Sequence, residues 1–182
     1  MKRKIVLTFG CLSGLVSAGL MFATVPFIDA IGFDKGTIVG YTAMVLSFLL
    51  VFFGVRRYRD SLGGAPLTFA NALGVGLMIT VISCVFYIVA WEIVYYNFMP
   101  DFIEKYSAHV LEGMRASGAS AAAMEAKTRE FVEFKDLYDN PFVMAAVSFI
   151  EPFPVGLAVS LISAFALRTR SKALADARAH SG

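Results

Sequence analysis

Four long apolar runs, at residues 5–28, 37–55, 67–98 and 141–167, are separated by polar stretches. Each is near or above the roughly 20 residues that a helix needs to cross a hydrocarbon core about 30 Å thick. Runs of this length predict helices, because a membrane barrel strand needs only about 10 alternating residues. The third run exceeds one crossing, which predicts a tilted or projecting helix. The first follows Lys2-Arg3-Lys4 and has small residues near Ala23, as a secretory leader would. Its apolar stretch is too long for an ordinary leader and no polar domain follows, so a retained membrane helix is expected.

Residues 99–140 read differently. They carry eight acids and five bases, so they are solvated, yet their apolar positions keep a helical period. Phe102, Tyr106, Val110 and Met114 recur every four residues after Pro100, and Met124, Phe131 and Tyr138 every seven. The stretch Ala116-Ser117-Gly118-Ala119-Ser120 between them predicts a turn. A helical hairpin with one apolar seam accounts for the pattern, and docking of those faces on a partner or on headgroups is the alternative. The expected fold is an all-α, integral membrane four-helix bundle, one domain over residues 1–182, with an extracytoplasmic hairpin between spans three and four.

Composition agrees. The chain is 58% hydrophobic and 16% charged, with seventeen Phe, seven Tyr and one Trp, and its mean hydropathy is +0.69. Soluble domains carry about a quarter charged residues. A net charge of +2 without a basic, aromatic-studded helix argues against nucleic acid.

Basic residues set the expected orientation. Lys2, Arg3 and Lys4 precede span one, Arg56, Arg57 and Arg59 follow span two, and Arg168, Arg170, Lys172 and Arg178 follow span four. The turn between spans one and two holds only Lys35, beside Asp29 and Asp34. Both termini and the loop at 56–69 are therefore expected in the cytoplasm of a bacterial cell, with the protein in its inner membrane. The tail from Arg168 reads as a frayed helix extension ending in a disordered Ser181-Gly182.

Two carboxylates lie in the apolar runs, where a charge is costly and marks a place to seek function. Glu92 sits about two turns inside the hairpin end of span three, with Tyr95 and Tyr96 three and four positions on. Glu151 lies about 15 Å into span four in Ile150-Glu151-Pro152-Phe153-Pro154. Pro152 and Pro154 have no amide proton, so the carbonyls of Ser148 and Ile150 lose their helical partners. Glu92, Glu151, Tyr95, Tyr96 and Ser148 thus form one candidate polar site, serving either a proton- or cation-linked pathway or interhelical packing.

Other signals are weaker. Arg57, Arg59 and Asp60 lie at headgroup level and read as topology determinants, with Arg59 and Asp60 able to pair at neighbouring helix ends. Gly10, Gly14 and Ala18, and Gly36 with Gly40, form small-residue ridges for close approach within the chain or in a homodimer. Asn71 marks a helix start or an interhelical hydrogen bond. Cys11 and Cys84 lie in apolar runs without metal-ligand spacing, and His109 and His180 read as solvated. No catalytic or cofactor motif stands out, so the expectation is no enzyme, no cofactor and no metal. The expected partners are the bilayer and a second copy or an envelope protein.

Gly54, Tyr58-Arg59-Asp60, Gly63-Gly64 and Phe69, then Trp91-Glu92, then Glu151-Pro152-Phe153-Pro154-Val155-Gly156, occur in an order and spacing that resemble domain-of-unknown-function family 4199. The resemblance runs from the first span to the end of the fourth. It implies a bacterial four-helix inner-membrane protein with an external insertion before the last span, and no activity. The first functional expectation is a non-enzymatic membrane component acting through helix packing and its hairpin; the second is a small transporter or channel using Glu92 and Glu151.

The expected orientation has a direct test. In spheroplasts a Ser120→Cys variant should react with an impermeant thiol reagent while Ser171→Cys stays unlabelled. Reversed labelling would turn the topology over.

Overall fold

The computed structural model describes residues 1–169, and the reading of the tail beyond them lies outside the described residues. Among the described residues the regular structure is all helical: α1 (Lys2–Thr24), α2 (Ile28–Asp60), α3 (Phe69–Phe98), α4 (Phe102–Ala116), α5 (Ala121–Tyr138), α6 (Pro141–Ile150) and α7 (Pro152–Leu167). Four segments, Lys2–Phe27, Ala30–Asp60, Phe69–Phe98 and Pro141–Leu167, are long and apolar enough to cross a membrane. Large apolar side chains such as Leu15, Leu46, Val85, Val89, Ile162 and Phe165 stay exposed on them. Such a surface suits lipid and would be a liability in water.

Most expected bounds recur within a few residues, with two differences. The reversal after the first span is a 3-10 turn, Val25–Phe27, followed by Gly32 at φ 73°, ψ 166°. That conformation suits glycine, and helix resumes at once, so residues 33–36 continue α2 instead of forming a loop. Arg57, Arg59 and Asp60 likewise lie on the last turns of α2, not in the loop beyond it. Arg59 donates to Asp60 Oδ1 from Nε at 3.1 Å and from Nη2 at 2.9 Å. They pair with each other rather than with a neighbouring helix end.

The expected turn at 117–120 holds, with Ser120 Oγ capping α5 through the Ala123 amide at 3.3 Å. Asn71 marks the start of α3 through its backbone amide, which donates to Thr68 Oγ1. In the fourth span the ladder is interrupted at Glu151, although Glu151 keeps helical dihedrals (φ −68°, ψ −58°). The interruption is the missing amide of Pro152 and not a non-helical conformation at Glu151.

α3 packs on α1 and α7, and α2 packs on α1, α7 and α3. Small residues set the closeness. A Cβ on Gly10 or Gly14 would come within 3 Å of Ile82 or Phe86, so this ridge serves α1–α3 packing inside the chain. Gly76 faces Ser160, and Gly156 faces Thr80. Where backbones approach, hydroxyls cross. Thr80 Oγ1 donates to the Gly156 carbonyl at 3.3 Å and lies 3.2 Å from Ser160 Oγ. Ser13 Oγ donates to the Ser47 carbonyl at 2.9 Å and lies 3.0 Å from Ser83 Oγ. Where α3 begins, the Leu67 amide donates to Thr169 Oγ1 at 2.7 Å and the Thr169 amide to the Leu67 carbonyl at 3.0 Å, joining both helix ends.

Overpacking a close contact should cost about 1–3 kcal/mol. Gly156→Ala places its Cβ 2.3 Å from Thr80 Cγ2, whereas Gly74→Ala meets nothing within 4 Å. Thermal melts of the purified protein should show a lower midpoint for Gly156→Ala and an unchanged or higher one for Gly74→Ala.

Candidate functional site

The polar chemistry gathers along one face of α3. Tyr87, Trp91 and Tyr95 stand four residues apart, so a single stripe presents three aromatic side chains with polar tips. Tyr87 donates its O–H to Glu151 Oε2 at 2.8 Å. Trp91 donates Nε1–H to the Tyr138 hydroxyl at 2.7 Å. Tyr95 donates to Asp139 Oδ1 at 3.3 Å, and Tyr96 donates to the Asp139 carbonyl at 3.4 Å. Span three is thereby joined to span four and to the end of the hairpin.

The expected five-residue site is thus divided. Glu151 and Ser148 come together with Tyr87. Tyr95 and Tyr96 bond to Asp139 instead of serving Glu92. Glu92 itself, half-buried, has no hydrogen bond or ion pair among the described residues. The physical reason is angular: at about 100° per residue, Glu92 is turned roughly 140° away from Tyr87 around the α3 axis. Depth along a helix is readable from sequence, but depth does not set which face meets the neighbour.

Glu151, Tyr87 and Ser148 line a cavity of about 500 Å³ to which α1 through α6 all contribute. Gly36 and Gly40 form part of its α2 wall, and a Cβ on either would meet nothing within 4 Å. This second small-residue ridge makes room instead of making contact. Glu92 is not among the lining residues. Ser148 is 4% exposed, and its Oγ has no hydrogen-bond partner. The Tyr138 phenol lies close enough to feel the Ser148 hydroxyl, but the two do not meet in hydrogen-bonding geometry. Burial raises the Tyr138 pKa above the ordinary phenol value, so it faces Trp91 as a neutral hydroxyl.

The hairpin covers this cavity. Phe102 stacks edge-on against Trp91 (centroids 5.0 Å) and Phe33 (5.9 Å), and Tyr106 meets Phe33 at 5.7 Å and Phe131 at 6.2 Å. The apolar seam expected between α4 and α5 exists and also extends onto the spans. His109 is not simply solvated: its Nε2 lies 3.2 Å from Asp34 Oδ1, and its ring packs on Phe33 at 5.3 Å. The signals for Tyr87, Trp91 and Phe33 were present as aromatic spacing and position, but only contact gives them a role. Cys84 is buried and Cys11 half-buried, both as free thiols.

Lys135 on α5 hydrogen-bonds Glu104 on α4, holding the Glu104 carboxyl below its usual range while Glu104 raises Lys135. The folded pKa of Glu104 is depressed, so the support it lends is present at neutral pH. That support fades as pH drops below about 4.5 and is lost on passing the folded value. Lys135, with a raised folded pKa, contributes below about 10.5 and is lost above its folded value. Both groups are exposed, which keeps the effect small. Hydrogen exchange over residues 102–116, corrected for intrinsic rate, should rise on acidification by less than about fivefold. In Glu104→Gln it should already be raised at pH 7 and respond less to acid.

No curated protein and no solved structure matches the chain. The family model described as "Protein of unknown function (DUF4199)" matches residues 8–169. That interval takes in the cavity, the hairpin over it, most of the first apolar segment and all of the other three, and by this match the chain belongs to the DUF4199 family.

Proposed function

We propose that this protein is a non-enzymatic inner-membrane component that holds a small apolar or amphiphilic molecule in the cavity beneath its hairpin. In this reading the spans form a four-helix bundle with both termini in the cytoplasm and the hairpin on the outer side. Lys2, Arg3 and Lys4 before the first span and Arg56, Arg57 and Arg59 after the second, against Lys35 alone in the short turn between them, support that orientation. One observation carries the binding role: a cavity of about 500 Å³ walled jointly by spans and hairpin. Binding pockets for small molecules occupy roughly 300–1,000 Å³, are mostly apolar and carry a few placed polar groups. Here those groups are Glu151, Tyr87 and Ser148.

Ion- or solute-linked transport is the second reading. The placement of Glu151 in the cavity favours it, and it now rests on Glu151 without Glu92. Flux in proteoliposomes that is lost in Glu151→Gln but kept in Glu92→Gln would favour this reading over simple binding.

Filling the cavity tests the binding role. Gly40→Phe adds a ring where a Cβ meets nothing within 4 Å, so the protein should fold with its melting midpoint unchanged or raised. Trp91 is the chain's single tryptophan and lines the cavity, so energy transfer from it reports occupancy. The neutral probe N-phenyl-1-naphthylamine should give saturable transfer in the wild type and only micelle background in Gly40→Phe. Equal saturable transfer in both would overturn the reading.

A further inference from the structure

We infer that the cavity selects an organic cation, an ammonium or phosphonium centre carrying apolar groups, with its charge against Glu151. This rests on the ligand-binding reading above and names the ligand class. Among the described lining residues Glu151 is the one side chain that carries a formal charge, with no described Lys, Arg or His beside it. Tyr87 occupies Oε2 of that carboxylate, which leaves Oε1 to accept from or pair with a ligand. Ser148 Oγ lines the same space, is 4% exposed and has no partner, so a hydrogen-bonding position stands unfilled beside the carboxylate. In that turn the Ser148 carbonyl has also lost its helical donor to Pro152, leaving a further acceptor.

The remaining walls decide the class of cation. Tyr87, Trp91, Phe102, Tyr106 and Phe134 bring aromatic rings to the cavity, and ring faces attract a cation that has shed its water. A bare metal ion such as calcium takes six or more oxygen ligands, and one carboxylate with the hydroxyl and carbonyl of Ser148 is too few. A cavity of about 500 Å³ is also far larger than a proton or metal requires. Size, one acidic group and ring walls together fit an apolar organic cation. The same chemistry could come from a free lipophilic amine or from the ethanolamine headgroup of a lipid.

The test uses the full chain in dodecyl maltoside, which contains no ammonium group. Tetraphenylphosphonium is titrated against Trp91 fluorescence, with triphenylphosphine oxide as the neutral counterpart. Saturable binding of the cation, at least tenfold tighter than the neutral compound, is expected. Glu151→Gln should weaken the cation at least tenfold and leave the neutral compound unchanged, Glu151→Asp should recover part of the loss, and Ser148→Ala should weaken competition by dodecylamine, whose ammonium can donate to a hydroxyl, severalfold. Circular dichroism confirms that each variant folds. Added phosphatidylethanolamine that competes identifies the headgroup as the source, whereas dodecylamine competing alone identifies a free amine. Equal affinity for cation and neutral compound, cation binding unchanged in Glu151→Gln, or cation binding no tighter in Glu151→Asp than in Glu151→Gln, overturns the inference and leaves the binding role standing. Cation binding that survives in Gly40→Phe, or no binding of either compound, overturns both.

Discussion

Close backbone approach, secured by hydroxyls that cross between helices, is the constraint on which this fold depends. Helices whose outer faces are as apolar as lipid gain little by hiding leucine from it, so packing and interhelical hydrogen bonds must hold them. Gly76 and Gly156 let α3 and α7 come close enough for Thr80 to reach the Gly156 carbonyl and Ser160. Gly10 and Gly14 do the same for α1 and α3 near Ser13 and Ser83. Each such bond contributes about 0.6–2 kcal/mol, and its larger effect is on register. A serine that must meet a particular carbonyl permits one helical rotation, and that rotation sets what every other position faces.

The register has its consequence at the hairpin end. With α3 held by Thr80 and Ser83, its next turns present Tyr87, Trp91 and Tyr95 toward the interior. There the α2 wall includes Gly36 and Gly40, so space remains where larger side chains would otherwise interlock. An open end is costly unless something covers it, and the hairpin supplies rings and hydroxyls suited to both surfaces. Phe102 and Tyr138 meet Trp91 from opposite helices of the hairpin, one by ring edge and one by hydrogen bond. Cover and cavity are therefore parts of one arrangement.

Glycine has opposite effects in the two halves. Gly156 would clash with Thr80 on gaining a Cβ, whereas Gly40 would meet nothing. In sequence both are glycines in apolar helices, with nothing local to tell close approach from open space. The distinction depends on the neighbouring helix: a hydroxyl faces Gly156 and open volume faces Gly40. Proline at 152 shows the same dependence. The missing amide could be read in advance, but not that Glu151 would keep helical dihedrals or that the Ser148 hydroxyl one turn earlier would have no partner.

The number and length of the long apolar helices, and the helix–turn–helix over residues 102–138, were legible in the sequence, because each rests on local period and run length. The depth of Glu151 and the loss of a donor at Pro152 were legible for the same reason, being counted along one helix. What only the tertiary structure decided is which faces meet: that Glu151 pairs with Tyr87 and not with the Glu92 group, and that Asp139 takes Tyr95 and Tyr96. It also decided that Phe33 and Asp34 on α2 receive Phe102 and His109 of the hairpin. Helical rotation is set by contacts between residues far apart in the chain, such as Ser13 with Ser83. A period along one helix fixes the angle between its own faces but contains no reference to the helix beside it.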